Sequence, residues 1–273
     1  MSLFRLSLVI TSSFLLATQS HAGSVIEFET VEHATGSPLS GTVKLSTQEG
    51  MTRLDIDSTA GDAGLIFDAG KGELVVLDYA EKKYYLMTRE QMDAMAVQVS
   101  DAMRQMEEAL AAMPPEQRAM AEQMMKGRMP QQASAAPEPK STIKKTGGSG
   151  TVAGLDCDNY EVSQDGLKIR DMCVTPWDEI DGGRDSTDAM MAIADFFSGI
   201  REAVTAAGGM TALDHQQEMF KHMKDLNGFP VSSKTFDDAG VLTSESRLLS
   251  SESVNLSPGD FSPPADFQKQ DLY

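Results

Sequence analysis

Positive charge is the first scarcity: 23 Lys+Arg stand against 41 Asp+Glu in 273 residues, a formal net charge of −18. A protein that tracks phosphates needs clustered Lys and Arg to displace counterions, so nucleic-acid binding is excluded as a function class. Cysteine is the second scarcity. With two cysteines and no C-x-x-C spacing, the chain has neither a zinc ribbon nor a thioredoxin-type redox pair. Catalytic signatures are missing as well: there is no G-x-S-x-G, H-E-x-x-H, P-loop or dinucleotide fingerprint. Beyond residue 22 the histidines are His33, His215 and His222, none beside a candidate nucleophile. The chain therefore reads as a non-enzyme without a cofactor. It is still a folding chain, because 41% hydrophobic residues is too many for disorder.

Residues 1–22 carry one early cation (Arg5), an apolar run from Leu6 to Ala17, and Ser20-His21-Ala22, which places small residues at −3 and −1. This is the pattern of a secretory signal peptide cleaved after Ala22, too short for a spanning helix. No later stretch is long and apolar enough to cross a bilayer. The segment holds one Lys/Arg and no Asp/Glu, so the chain from Gly23 carries 22 − 41, or −19. A soluble, monomeric protein of the periplasm, or of the medium outside the cell, is expected. Its first cysteine is Cys157, so no lipid-anchor cysteine lies near the cleavage site.

In an oxidising compartment two cysteines more often pair than bind metal. Leu155–Val162 and Leu167–Val174 flank Ser163-Gln-Asp-Gly166, a turn with a glycine available for positive φ. Folding this hairpin about Asp165 sets Cys157 opposite Cys173, which points to a disulfide; two free buried cysteines are the alternative.

Between Ser24 and Met87 short strand-like runs recur, separated by turn residues, as in an antiparallel meander. An insertion over 88–127 follows. Thr88-Arg-Glu-Gln91 fits a capping box, and Met92, Met95, Val99, Met103, Met106, Leu110 and Met113 form one helical stripe. Pro114-Pro115 ends that helix and starts a second, which carries Met120 and Met124 and stops at Gly127. Residues 130–140 read as a flexible linker, and 141–145, 150–153 and the cysteine hairpin return to strands. A second helical insertion spans 186–225, capped by Asp185-Ser-Thr-Asp188, with Met190, Ile193, Phe197, Ile200 and Val204 on one face. Pro230–Phe236 and Val241–Val254 form a last hairpin before a proline-marked tail. The expected fold is α+β: a single domain over 23–273 in which about 11 antiparallel strands make one curved sheet, with the helical insertions on its open side.

Several passages carry a resemblance. They are Leu65-Ile-Phe-Asp-Ala-Gly-Lys-Gly-Glu-Leu-Val-Val-Leu-Asp78 running into Lys83-Tyr-Tyr85, the Met/Gln-rich helix broken by Pro-Pro-Glu-Gln, Val152–Tyr160, and Gly228-Phe-Pro-Val231 leading to Phe261 and Pro263-Pro264. Together they resemble a bacterial exported family whose fold is similar to the periplasmic lipoprotein carriers (LolA-like). The resemblance implies an unclosed β-barrel with helices over its open mouth, a form that holds acyl chains or other apolar ligands, and the lack of an anchor cysteine is similar to the soluble carrier.

Ten of the 18 methionines lie between Met87 and Met129. Met surfaces repack around varied partners, so the stripe reads either as a helix face buried on the barrel or as an adaptable lid. Met92, Met95, Met103, Met106, Trp177 and Phe197 are the candidate ligand-binding residues, Trp177 having inter-element packing as its alternative role. The expected ligand is a lipid or acyl chain, or a hydrophobic segment of an exported protein or lipoprotein. A structural or sensory envelope module that uses the Met helix without a small ligand is the second reading. A Cu(I) site built on His215, Met219, His222 and Met223 is the third, since thioethers select soft metals.

Overall fold

The computed structural model describes residues 23–33, 38–114, 117–118, 140–206 and 226–271. Six strands lead the described chain: β1 (Gly23–Glu32), β2 (Leu39–Gln48), β3 (Met51–Ser58), β4 (Ala63–Asp68), β5 (Glu73–Asp78) and β6 (Lys83–Thr88). Helix α1 (Arg89–Ala112) follows, then β7 (Ser141–Val152), β8 (Leu155–Gln164) and β9 (Leu167–Thr175). Helices α2 (Gly183–Phe196) and α3 (Ser198–Ala206) precede β10 (Phe229–Phe236), β11 (Leu242–Val254), a 3-10 turn (Pro258–Phe261) and the short β12 (Gln268–Gln270). All twelve strands belong to one sheet, ordered β12-β6-β5-β4-β3-β2-β1-β11-β10-β9-β8-β7. It is antiparallel except where β12 runs parallel to β6, and β7 and β12 stand at opposite ends, so the barrel-like sheet is unclosed.

Local sequence explains the ladder. Glu49-Gly50 (φ 49° and 80°) and Asp165-Gly166 (φ 50° and 85°) form two-residue left-handed turns, the kind whose twist matches the flanking strands. Residues 141–145 and 150–153 are not two strands but the ends of β7, whose register shifts between Lys145 and Ser149. The three residues of β12, too short to carry a sequence pattern, bring the strands to twelve.

The hairpin β8–β9 carries the disulfide, Cys157–Cys173, with Cα atoms 5.3 Å apart. Its register differs from the simple fold about Asp165. The two-residue Asp165-Gly166 turn moves the pairing by one residue and a bulge between Val162 and Ser163 by another, so that Cys173 faces Asn159 and Cys157 reaches it diagonally. The bridge packs with Ile26, Ile180, Phe229, Val231 and Leu248 in one buried cluster.

Helix α1 begins as its sequence predicts. The Gln91 amide donates to Thr88 Oγ1 at 3.3 Å and the Thr88 amide to Gln91 Oε1 at 2.9 Å. At the other end the Arg118 guanidinium donates to the carbonyls of Leu110, Ala111 and Met113, at the end of the helix and its cap. The second insertion departs from expectation at both ends of its first helix. No side chain caps α2; it starts at Gly183 after Gly182 in the left-handed region (φ 70°), where an added Cβ would overlap Ser24. It then breaks at Phe197, and α3 continues separately. Residues 1–22, 119–139 and 207–225, which hold the signal segment, Met120, Met124, most of the linker, His215, Met219, His222 and Met223, lie outside the described residues.

The tail covers the sheet's outer face. Gln48 Oε1 accepts from the Leu256 amide at 2.9 Å, Phe261 is buried against Ile66 and Leu77, and Phe267 meets Tyr79 edge-on at 5.3 Å. Beside them Arg53 grips Asp55 through two nitrogens (2.7 and 3.0 Å), and Tyr79 donates to the same carboxylate at 2.6 Å. Arg53 also donates to the Asp260 and Ser262 carbonyls at 3.2 and 3.3 Å. Burial, then the Asp55 carboxylate, holds the Tyr79 phenol above its ordinary range.

The disulfide closes a loop with a sequence separation of 16. The Cys157→Ser/Cys173→Ser chain is predicted to lose about 3 kcal/mol in urea unfolding, the chain-entropy value for a loop of this length. An unchanged midpoint would show that the bridge adds nothing to the fold.

Candidate binding cleft

Strand register sorts the inner face of β2–β6 into rows. Thr47, Thr52, Phe67, Leu74 and Met87 stand side by side in the first, and Leu45, Leu54, Leu65, Val76 and Tyr85 in the second. Val43 and Ile56 begin a third. Burial falls from row to row. Thr52, Phe67 and Leu74 are at most 2% exposed and Leu45 is buried, whereas Met87, Leu54, Leu65, Val76, Tyr85, Val43 and Ile56 are only half-buried. The helices cause this gradient, because they lie over the first row and reach Leu65 and Val76 of the second.

Met92 of α1 and Ile193 and Phe196 of α2 pack on Phe67 and Leu74, with Phe67 and Phe196 edge to face at 5.6 Å. Position in the chain explains the contact. Helix α1 leaves β6 directly, so Met87 enters the cluster from the strand and Met92 from the first turn of the helix. The Arg89 guanidinium lies 5.7 Å from the Phe196 ring centroid and closes the cluster's edge.

A cavity of about 600 Å³ opens at the hairpin end of the same helix–sheet interface. Thr47, Thr52 and Phe67 contribute from the sheet, Gln48, Glu49, Gly50 and Met51 from the β2–β3 turn, and Ala69 from the end of β4. Asp185, Asp188, Ala189 and Ala192 contribute from α2, at the i, i+3, i+4, i+7 spacing of one helix face. The Thr47 hydroxyl is satisfied by Ser24 at 2.8 Å, so the cavity's inner side is apolar in effect and its exposed carboxylates stand at the rim. Asp185 and Asp188, expected to cap the helix, line this cavity instead.

The residues singled out from sequence divide into groups. Met92, Met95 and Phe197 come together in the Phe67 cluster, Met92 buried at 4% exposure and the other two half-buried. Met103 and Met106 lie further along α1, half-buried. Trp177 is elsewhere: it meets Phe229 at 6.1 Å and receives the Arg184 guanidinium at 4.9 Å, in the cluster around the disulfide. Among the described residues no three His, Cys, Asp or Glu side chains gather as metal ligands, and no helix is long and apolar enough to cross a membrane. Sequence reasoning missed Glu49, Met51 and Ala69, whose one signal was the Glu-Gly turn between two strands.

No family model matches the chain, and no curated protein does. Among solved structures it is similar to an uncharacterized conserved protein from Thermus thermophilus (TM-score 0.42, 6% identity, 92% of this chain and 91% of that one). It is also similar to the Pseudomonas aeruginosa MucA/MucB complex (TM-score 0.38, 10% identity), covering 90% of this chain and 57% of that one. An outer membrane lipoprotein-sorting protein domain from Vibrio parahaemolyticus is similar at TM-score 0.28 and 8% identity, over 89% of this chain and 91% of that one. The architecture is the one the LolA-like resemblance implies: an unclosed antiparallel sheet with helices across one face.

Met92→Ala is expected to cost about 2–5 kcal/mol, the range for truncating a buried methionine. Met103→Ala, removing a half-buried side chain, should cost less than half as much. Equal urea midpoints for the two variants would show that Met92 does not anchor α1 to the sheet.

Proposed function

We propose that this chain is an exported, non-catalytic binding module that takes an apolar ligand, an acyl chain or a hydrophobic protein segment, against the inner face of β2–β6. The observation that carries the reading is the burial gradient. A purely structural sheet would have its inner apolar rows covered throughout, whereas here Val43, Leu54, Ile56 and Tyr85 stay half-buried beside a helix cluster whose second-row members are Leu65 and Val76. The 600 Å³ cavity at the opposite end lies in the size range of ligand sites. The disulfide fits an oxidising compartment such as the periplasm.

Binding of this kind is passive. About ten buried methylenes supply about 8 kcal/mol at about 0.8 kcal/mol each. Loss of translational and rotational freedom removes about 4 kcal/mol or more, leaving an affinity weaker than micromolar. Such a ligand exchanges readily, which suits a carrier or sensor more than a store. Displacement of α2 and α3 from the sheet would admit it, the short α3 being held less firmly than a strand within the ladder.

The test uses the chain from residue 23, exported and purified under mild conditions. Native mass spectrometry is expected to find an apolar adduct, and the emptied protein is expected to bind dodecanoate or a fluorescent phenylnaphthylamine. Repeated preparations with neither adduct nor probe binding would overturn the proposal.

A further inference from the structure

The rim of the cavity between α2 and the β2–β3 turn is acidic, and its interior is not. Glu49, Asp185 and Asp188 are exposed at the mouth, while Phe67, Ala189 and Ala192 lie among the apolar lining. None of these three carboxylates makes an ion pair among the described residues, and none of the cavity's lining residues is cationic. Two nearby cations in sequence are committed elsewhere: Arg184 lies over Trp177 at 4.9 Å and Lys71 pairs with Asp68 at 2.9 Å. Asp185 has a structural role as well, since a carboxylate in the first turn of α2 is favoured by the helix dipole. The dipole gives no such role to Glu49, which sits in the hairpin turn, or to Asp188, which is beyond the first turn.

We infer that the cavity receives an apolar side chain of a polypeptide segment whose adjacent lysine or arginine meets the acidic rim. The inference rests on the binding reading above and assigns its ligand a charge. Charge complementarity and shape support it together. The apolar side chain lies along Phe67, Ala189 and Ala192, while the neighbouring Lys or Arg, an apolar stem with a charged tip, stays outside and meets the carboxylates at the mouth. An anionic acyl chain meets the reverse at this mouth, so dodecanoate is expected on the open rows of β2–β6 and not here: three unneutralised carboxylates stand on a chain whose residues from 23 onward sum to 22 − 41, or −19. Lysine and arginine beside apolar residues are common in polypeptides, whereas a free cationic lipid is an uncommon chemistry, so the occupant is a protein segment.

The experiment uses the chain from residue 23 and three fluorescent twelve-residue peptides of Ala, Val and Leu whose two central residues are Lys, Gln or Glu. The Lys peptide is expected to bind about tenfold more tightly than the Glu peptide, the difference between two exposed attractive charge pairs and two repulsive ones. That preference should shrink in 0.5 M salt, as screening of exposed charges requires. It should vanish in the Glu49→Gln/Asp185→Asn/Asp188→Asn chain, whose circular dichroism and urea midpoint report its folding. Equal binding of all three peptides, or a Lys preference that survives the triple substitution, would overturn the charge assignment and leave the apolar-ligand reading standing. Protonated dodecylamine binding in place of every peptide would overturn the polypeptide assignment. Failure of peptides, dodecylamine and dodecanoate alike would remove both readings.

Discussion

The pairing of β1 with β11 is the constraint on which the other elements depend. It runs from Gly23 opposite Val254 to Glu32 opposite Ser244, joining the two ends of the described chain across more than 200 residues. Without it the β1–β6 meander and the β7–β11 block would be separate sheets, each with a long open edge. It also fixes the helical layer. Ser24 of β1 bonds Thr47 of β2 and lies where a side chain at Gly182 would have to go, so the start of α2 is set against this strand. From there α2 crosses the inner face and delivers Ile193 and Phe196 onto Phe67. The tail leaves β11 beside Gln48 and is led over the outer face by the same geometry.

The middle of the meander is consequently covered on both sides. In β4, Ile66 packs under the tail and the next residue, Phe67, packs under the helices, exposed by 3% and 1%. A strand buried on both faces is rigid, and that rigidity lets the half-covered rows beside it stay exposed without loosening the sheet. The arrangement separates two tasks. The tail, Arg53 and Asp55 hold the outer face shut, and the inner face holds helices on the first row and part of the second and leaves apolar surface on the rest.

Much of this was legible in the chain. The Thr88 capping box, the turn glycines and the heptad-like Met92-Met95-Val99 spacing are local signals, and local signals persist whatever the tertiary context. The runs Leu65-Ile66-Phe67 and Leu74-Val75-Val76-Leu77 break strict alternation, which marks strands buried on both faces before either cover is known. The disulfide partners followed from the hairpin, but their diagonal offset did not, because a bulge at Val162–Ser163 leaves no residue pattern of its own. The candidate site was less legible. Asp185 and Asp188 look like helix caps until Gly182 is seen to start the helix unaided, and the placement of Trp177 with the disulfide depends on contacts distant in sequence. Met92 and Met103 share one stripe, yet only the first lies where α1 is still over the sheet.

The central claim is that the inner face beside the helices takes up apolar ligand. Methyl NMR of the chain labelled with [13C-methyl]methionine, titrated with dodecanoate, tests it directly, since the described methionines lie on each side of the question. The claim predicts that the resonances of Met87, at the end of β6, and Met95, beside it in the helix–sheet cluster, shift together with saturation while Met172, in another cluster, does not move. Shifts confined to Met103, Met106 and Met113 on α1, or none at saturating probe, would contradict it.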